Sequence, residues 1–492
     1  MLKMGNIKDI INKYKSEAEN CWSQSYSPFS KVINSFSFKI GVEIGVAFGG
    51  HSEYILQNTS VDNLYGVDPY LHIENYKDPM NLPQDQFDEL YNFTVNRLSN
   101  YNNRYKHIRK KSCDAVIEFN NNELDFVYID ADHSYNGVFN DLCLWFCKVR
   151  EGGIIGGHDY EHPNFPGVKQ AIDEFFRRFD WKVNYEGDGV WWVEKKKINI
   201  SFFIPAYNCE KTIEETVDSI FNNNFTLGDE LVIANDASKD KTLELLEKLK
   251  DKYKDKEIKI INHNRNKGGA AARNTAIENT NNPLLFCLDS DNVLEENSIS
   301  KLKDFLINSG SDVSAFREIR YFVNNIREIT HNWIYKEGLI TLGYILSNYK
   351  IPPASGNYLF TKESWVRAGS YPEFAGALDT WGFGFRQVAT GSKMRVMSDL
   401  YYYHRHGFES YWVSFSKKNS ISLRALQIII PFIDVIDDRD INYITSSKTR
   451  HIWFDNIEKR PLRIKKIENK TNISLITLIK KILVKLRNKI LK

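Results

Sequence analysis

The stretch "PLLFCLDSDN", residues 283–292, runs a line of apolar side chains into two aspartates, Asp289 and Asp291, set one residue apart. A short apolar run of this kind reads as a strand buried on both faces, as in a parallel sheet. Its carboxylates then fall just past the strand's carboxyl end, where open α/β sheets bind their ligands. Upstream, "INISFFIPAYN" (198–208), "ELVIANDAS" (230–238) and "EIKIINHNRN" (257–266) repeat the pattern with helical stretches between them. An earlier series has the same grammar: "FKIGVEIGVA" (38–47), "NLYGVD" (63–68), "YKHIRKK" (105–111), "LDFVYIDA" (124–131) and "GGIIGGHD" (152–159). "WKVNYEGDGVWWVEK" (181–195) closes it as two strands around a hairpin turn at Glu186–Gly189. Strands alternating with helices predict two mostly parallel α/β sheets, the first with one antiparallel strand at its edge. Residues 300–415 read as less regular, with aromatic-rich loops.

With 492 residues, 42% hydrophobic and 13% aromatic, the chain can build two or three domains with full cores. The net charge of +2 conceals an asymmetry. The last 32 residues hold ten Lys/Arg and one Glu, a charge of +9, which leaves residues 1–460 at −7. A globular part of that sign lacks the basic face that nucleic acid needs, so no nucleic-acid partner is expected. The six cysteines have neither zinc-ligand spacing nor a dense disulfide pattern, which suits a reducing cytoplasm. Cys143 and Cys147, four apart, share one helical face and read as buried packing. Residues 1–20 read as a charged amphipathic helix rather than a signal peptide, and no apolar run reaches the roughly 18–20 residues that span a bilayer. The expected division is a helical extension (1–37), two α/β domains (38–196 and 197–420), a further helical extension (421–470) and a basic helix (471–492).

"VEIGVAFGGHS" (42–52) runs from a strand into Gly45, Gly49 and Gly50, which let the backbone turn tightly and approach a ligand; a plain tight turn gives the same pattern. Asp68 ends the next strand with a carboxylate suited to ribose hydroxyls, or to an Asx turn before Pro69. With "DFVYIDADHSYNGVFNDL" (125–142) and "GGIIGGHDY" (152–160), these motifs resemble the class I S-adenosylmethionine-dependent methyltransferases, and among them the macrocin-type sugar O-methyltransferases. The resemblance covers roughly residues 38–196. It implies that Glu43 and Gly45 line the amino-acid end of S-adenosylmethionine and that Asp68 holds its ribose. It also implies a divalent cation, Mg2+ or Mn2+, held by Asp130, His158 and Asp159. Oxygen ligands suit a hard cation. His158 stands where that family usually has a carboxylate, and imidazole ligates Mn2+ or Fe2+ better than Mg2+; His158 is also readable as a base. Asp132 and His133 are the candidates to take a proton from a sugar hydroxyl that the metal makes more acidic; capping the helix that starts near Ser134 is the other, lesser reading of Asp132.

In the second half, "FFIPAYNCEKTIEETVDSI" (202–220), "LVIANDASKDKT" (231–242), "NRNKGGAAARNTAI" (264–277) and "LLFCLDSDN" (284–292) resemble family 2 glycosyltransferases of the GT-A fold over about residues 199–410. The resemblance implies a nucleotide-sugar donor, a UDP-sugar favoured. Pro205, Ala206 and Tyr207 would open its pocket, Asp236 would accept the imide N–H of a uracil, and Arg273 would meet the base or the phosphates. Asp289 would face the ribose, and Asp291 would hold a divalent cation that neutralises the leaving diphosphate. Capping is the other reading of Asp236 and Asp240, and an idle surface position that of Arg273. On the acceptor side that family usually carries a Glu-Asp pair. "GALDTWGFGFRQVATG" (376–391) has Leu378 before Asp379, so Asp379 is the candidate base, with Trp381 and its glycines as a flat wall for a sugar ring. "YYYHRHGF" (401–408) offers His404 and His406 as further metal ligands, or as buried structural histidines.

The tail "ISLITLIKKILVKLRNKILK" (473–492) sets Leu475, Ile476, Ile479, Ile482, Leu483, Leu486 and Ile490 on one helical face opposite Lys and Arg. It reads as an interfacial helix on an anionic membrane, or as a helix packed on the protein or a second subunit. The expectation is an α/β protein: a Rossmann-like methyltransferase domain, a GT-A domain and a C-terminal amphipathic helix. Its expected work is metal-dependent, inverting sugar transfer plus O-methylation of a sugar hydroxyl. The expected acceptor is a glycan, lipid-linked glycan or glycoprotein, in the cytoplasm at the inner membrane face. The alternative is a glycosyltransferase whose first domain only docks a partner or methylates something other than sugar.

Overall fold

The computed structural model describes residues 23–74, 76, 81–407 and 411–465. The expected helices at residues 1–20 and 471–492 lie outside the described residues. The chain forms two compact units, Met1–Lys197 and Ile198–Lys492.

The first unit is built on seven strands: β1 (Ile40–Ile44), β2 (Asn63–Val67), β3 (Tyr105–Ile108), β4 (Leu124–Ile129), β5 (Val149–Gly157), β6 (Asn184–Tyr185) and β7 (Trp191–Glu194). Their spatial order is β3-β2-β1-β4-β5-β7-β6. β1 pairs in parallel with β2 and β4, which extend in parallel to β3 and β5. Residues Phe126 to Ile129 of β4 are all buried, as a strand covered by helices on both faces requires. The antiparallel strand is not at the edge as expected. β7 pairs antiparallel with β5 and with the two-residue β6, which lies outermost. The longer arm of the hairpin wins the place beside β5 because it buries Trp191 and Val193.

The second unit has an eight-stranded and a four-stranded sheet. β8 (Ile200–Ala206), β9 (Glu230–Asn235), β10 (Glu257–Asn262) and β11 (Leu284–Cys287) form a parallel block in the order β10-β9-β8-β11. The next strands in chain order are β12 (Val293–Leu294), β13 (Val313–Ala315), β14 (Glu318–Phe322), β15 (His331–Ile334), β16 (Gly338–Ile340), β17 (Leu359–Thr361), β18 (Met394–Val396) and β19 (Tyr401–Arg405). β17, β13, β18 and β16 complete the large sheet, and β12-β19-β14-β15 make the small one. The stretch read as irregular thus contains seven short strands. Their partners lie far away in sequence, so no local period announces them. Residues 421–465 hold the helices Ile421–Ile429, Asp438–Thr445 and Arg450–Asp455.

Strand order reverses between β1 and β4 in the first unit and between β8 and β11 in the second. Such reversals open a crevice at the carboxyl ends of the strands. Gly45 and Asp130 border the first crevice; Tyr207 and Asp289 border the second.

Candidate functional sites

At the end of β1 the chain turns through Gly45, whose φ of +87° is costly for any other residue. A Cβ there would also collide with the Asp130 carbonyl of β4's end, so glycine is what allows the two strand ends to meet. Gly45→Ala is expected to lower stability by about 2 kcal/mol; thermal melting reads the effect, and an unchanged melting temperature would show that the turn tolerates a side chain. Asp68 laces this turn together. Its Oδ2 accepts from Val46 N and Ala47 N, both at 3.0 Å, and its Oδ1 from Tyr70 N at 2.9 Å. The Asx turn is therefore present, and one lone pair is left on Oδ1. Burial pushes the Asp68 carboxyl up, against those three N–H groups. Glu43 is buried, and its carboxylate is held by His51 Nδ1 at 2.8 Å and by the Ser52 hydroxyl.

Across the crevice, Asp130, His133 and Asp159 offer ligand atoms within 4.8 Å of one another, the one such three-residue group found among the described residues. His133 Nε2 lies 3.4 Å from Asp130 Oδ1 and 3.1 Å from Asp159 Oδ2, and its ring stacks on Phe165 at 4.3 Å. The cluster therefore takes in His133, assigned from sequence as a base, and leaves out His158, assigned as a ligand. Asp159 has a φ of +60°, and in this turn one carboxylate oxygen meets His133 while the other lies 3.3 Å from His158 Nδ1. Burial opposes ionisation of Asp159, but hydrogen bonds from both histidines hold its pKa well below the usual carboxylate range. Burial likewise opposes the charge on His158, and Asp159 and Asp130 outweigh it, raising His158 to about 9. Asp132 sits in the turn before the helix Tyr135–Trp145: its Oδ1 accepts from Ser134 N at 2.8 Å, while Ser134 itself caps the helix through Gly137 N at 3.0 Å. Two carboxylates and an imidazole form a donor set that fits a divalent cation of the Mn2+ or Fe2+ type.

In the second unit, Arg273 is the centre. It is buried, not an idle surface residue, and donates through Nη2 to Asp289 Oδ1 at 2.6 Å and through Nη1 to Asp379 Oδ2 at 2.7 Å. The guanidinium thus joins the end of β11 to the start of the helix Asp379–Ala389. Asp379 Oδ1 also accepts from Thr380 N at 2.8 Å. Burial pushes the Asp379 carboxyl up, and the charge of Arg273 offsets part of that rise. Asp289 is further held by Asn357, whose Oδ1 accepts from Asp289 N at 2.8 Å and whose Nδ2 donates to Oδ2 at 3.2 Å. Between them the D-S-D loop passes from the large sheet to the small one. Thr212 donates to the Ser290 carbonyl at 2.9 Å, and Arg405 Nε donates to the Asp291 carbonyl at 3.2 Å.

Residues 42–160 match the family model of a methyltransferase domain, and residues 201–368 match that of glycosyl transferase family 2. The chain joins a methyltransferase domain to a family 2 glycosyltransferase domain. An uncharacterised protein of Acanthamoeba polyphaga mimivirus is 31% identical over 27% of this chain, which spans 57% of that protein's length. A UDP-Glc:alpha-D-GlcNAc-diphosphoundecaprenol beta-1,3-glucosyltransferase of Escherichia coli is 26% identical over 34% of this chain and 67% of its own. A crystal structure of S. aureus TarS with UDP-GlcNAc aligns at a TM-score of 0.42 and 21% identity, over 52% of this chain and 73% of that one.

In the glycosyltransferase domain no hydrogen bond joins the side chain of Asp291 to another of the described residues, and burial together with the charge of Asp289 pushes it up to about 7. The two histidines of β19 differ. His404 lies against Tyr321 at 4.9 Å with its Nδ1 buried and unpartnered, and burial pushes it down to about 4. His406 Nε2 is already 2.7 Å from Thr330 Oγ1. Among the described residues, Asp291, His404 and His406 do not form a three-ligand cluster. An unbonded carboxylate and an unpartnered imidazole still fit a divalent cation, with His404 the freer of the two histidines. Asp236 is buried against His263, Lys267 and Gly268, while Pro205 and the exposed Tyr207 lie at the end of β8.

Trp381 is not a sugar wall. It is buried, stacked on Phe385 at 5.6 Å and edge-on to Phe454, because a tryptophan two residues into this helix packs under the C-terminal helices. An exposed aromatic near Asp379 is Tyr411, whose hydroxyl feels the charges of Asp379 and Arg273. Phe415, one turn on, fills the space over Gly376 in the turn leading to Asp379. The sequence reading also missed Asn357, Thr212, His263 and Arg405. Arg405 alone had a signal: period-two alternation puts it on the face opposite His404 and His406.

Proposed function

We propose that the protein is a bifunctional enzyme of glycan assembly. Its second domain transfers a sugar from a UDP-sugar with inversion, and its first O-methylates a sugar hydroxyl with S-adenosylmethionine. The observation that carries this reading is the bridge Asp289–Arg273–Asp379, which sets a carboxylate of the donor side and a base candidate about one buried guanidinium with bonds of 2.6 and 2.7 Å. Asp379 takes the proton of the acceptor hydroxyl, and its burial-raised pKa suits a general base. Arg273 keeps Asp379 and Asp289 in register and brings a fixed positive charge beside the diphosphate. A divalent cation at Asp291 and His404 would supply charge neutralisation of the leaving group.

In the first domain Glu43, Gly45 and Asp68 shape the cradle for S-adenosylmethionine, and Asp130, His133 and Asp159 would hold the cation. Bound there, the cation would acidify a sugar hydroxyl. Asp132, half-buried and next to His133 in the chain, with Oδ1 accepting from Ser134 N, is the base that receives the proton. The activity of the Escherichia coli relative supports a lipid-linked glycan as acceptor, ahead of a free glycan or glycoprotein. The test is incubation of the purified protein with UDP-sugars, S-adenosylmethionine and acceptors of each class, read by mass spectrometry of the product. Calorimetry with S-adenosylmethionine alone checks the first domain, since a docking module has no need of it.

No helix among the described residues is long and apolar enough to cross a membrane. We place the protein in the cytoplasm, against the inner membrane face through residues 471–492. Their removal is expected to leave transfer to soluble acceptors intact and to weaken binding to anionic vesicles several-fold, since an apolar stripe and lysine charges both favour that surface. Co-sedimentation indifferent to truncation and to high salt would contradict the membrane role.

A further inference from the structure

Asp236 follows β9 almost fully buried, and three N–H donors converge on it. His263 Nδ1 lies 2.7 Å and Lys267 N 2.8 Å from Oδ1, and Gly268 N lies 2.7 Å from Oδ2. An ionised carboxylate offers about four lone-pair positions. Three are filled, and the one left belongs to Oδ2. His263 is itself held from its far side, with Nε2 at 3.0 Å from Thr275 Oγ1 on the helix Gly269–Glu278. A hydroxyl, an imidazole and a carboxylate therefore run in line from that helix to the end of β9, with the imidazole and carboxylate both buried. A carboxylate only accepts, so Nδ1–H donates to Asp236, and Nε2 pairs with the Thr275 hydroxyl.

The line is tied to the reaction centre. Lys267 and Gly268 lead directly into Gly269, where a Cβ would come within 2.8 Å of Arg273 Nη1 and 3.2 Å of Asp379 Oδ2. The loop that Asp236 clamps is thus the loop packed against the Asp289–Arg273–Asp379 bridge, and Asp236 shares its crevice.

We propose that His263, held by Thr275, is a positioning residue that makes the second domain selective for a nucleobase with a ring N–H, as uracil has at N3. It does so by fixing the carboxylate of Asp236 so that its one free acceptor position faces the base. The inference rests on the glycosyl-transfer reading and adds the residues that set base choice. Uracil N3–H pairs with that position. Cytosine presents an acceptor at N3 instead, and two facing acceptors leave both groups unpaired. Without His263, Lys267 N still holds Oδ1 and Gly268 N still holds Oδ2, but a second acceptor position opens on Oδ1, so the carboxylate no longer offers a single fixed direction.

The experiment titrates UDP and CDP into the full-length protein by calorimetry, for wild type, His263→Ala, His263→Asn and Thr275→Val. Wild type is expected to prefer UDP. His263→Ala should lose about ten-fold or more of the UDP-over-CDP preference. His263→Asn, whose amide replaces the Nδ1–H towards Asp236, should keep the preference within about three-fold. Thr275→Val should shift it in the same direction as His263→Ala, by less. The readout is a ratio of two affinities, which a merely structural role would not move. A folded His263→Ala protein that keeps the wild-type ratio, or that loses UDP and CDP alike, overturns the inference and leaves the glycosyl-transfer reading standing. If His263→Ala does not fold, an unchanged ratio in Thr275→Val overturns it. A wild-type protein that binds neither nucleotide removes the glycosyl-transfer reading and this inference with it.

Discussion

Exchanging Asp379 for asparagine is expected to slow sugar transfer by about a thousand-fold while donor binding stays within a few-fold. The amide keeps the shape and can still accept from Thr380 N, a bond of 2.8 Å in the wild type. It cannot take a proton from the acceptor hydroxyl. Arg273 loses one of its two anionic partners but keeps Asp289 at 2.6 Å, so the donor side of the bridge survives. The wild-type pH profile follows from the same burial. Because burial raises the Asp379 carboxyl, transfer should rise with pH as that proton leaves, with its acidic limb above the usual carboxylate range. Initial rates against pH, with calorimetry of UDP, check both statements. An Asp379→Asn enzyme within ten-fold of wild-type turnover would sink the assignment of the base.

The second large effect is a separation of activities. Asp291→Ala should lower sugar transfer by at least about a hundred-fold, because it removes the carboxylate that would hold the charge-neutralising cation at the leaving diphosphate. It should leave S-adenosylmethionine binding and methyl transfer to a preformed glycan unchanged. Asp130→Ala should do the converse. The two carboxylates belong to different compact units, on sheets that share no strand. Both mutants are assayed for both activities, with the methyl acceptor supplied ready-made so that a missing product is not mistaken for a missing enzyme. Loss of both activities from either folded mutant would mean that the sites are coupled or shared.

The sequence pattern and the structure part company over contacts rather than elements. The apolar runs that end in Asp130 and in Asp289 are strands in the structure; the first, β4, is parallel to both of its neighbours, whereas β11 is parallel to β8 and antiparallel to β17. Trp381 was misplaced because a tryptophan among glycines looks the same whether it faces a sugar or a helix; burial under Phe454 and beside Phe385 decides that. His158 was assigned as a ligand from the resemblance, because it stands where that family usually has a carboxylate. His158 neighbours Asp159 in the chain, yet His133, which comes from the turn after β4, is the one whose ring nitrogen lies near both carboxylates. Asn357 left no mark in the sequence at all, although it bonds to Asp289 twice.

By itself the sequence determined two series of alternating strands and helices, the glycine turn at Gly45, and the carboxylates at strand ends. These are properties of consecutive residues: side-chain period, backbone permissiveness and position within an apolar run. Only the tertiary structure decided which side chains those carboxylates meet. Arg273 and Asp379 are 106 residues apart, and they pair because the helices that bear them pack into one crevice. The same holds for His263, 27 residues beyond Asp236 and one strand across the sheet. Contacts at such separations depend on how whole elements pack against one another, which no local pattern of residues encodes.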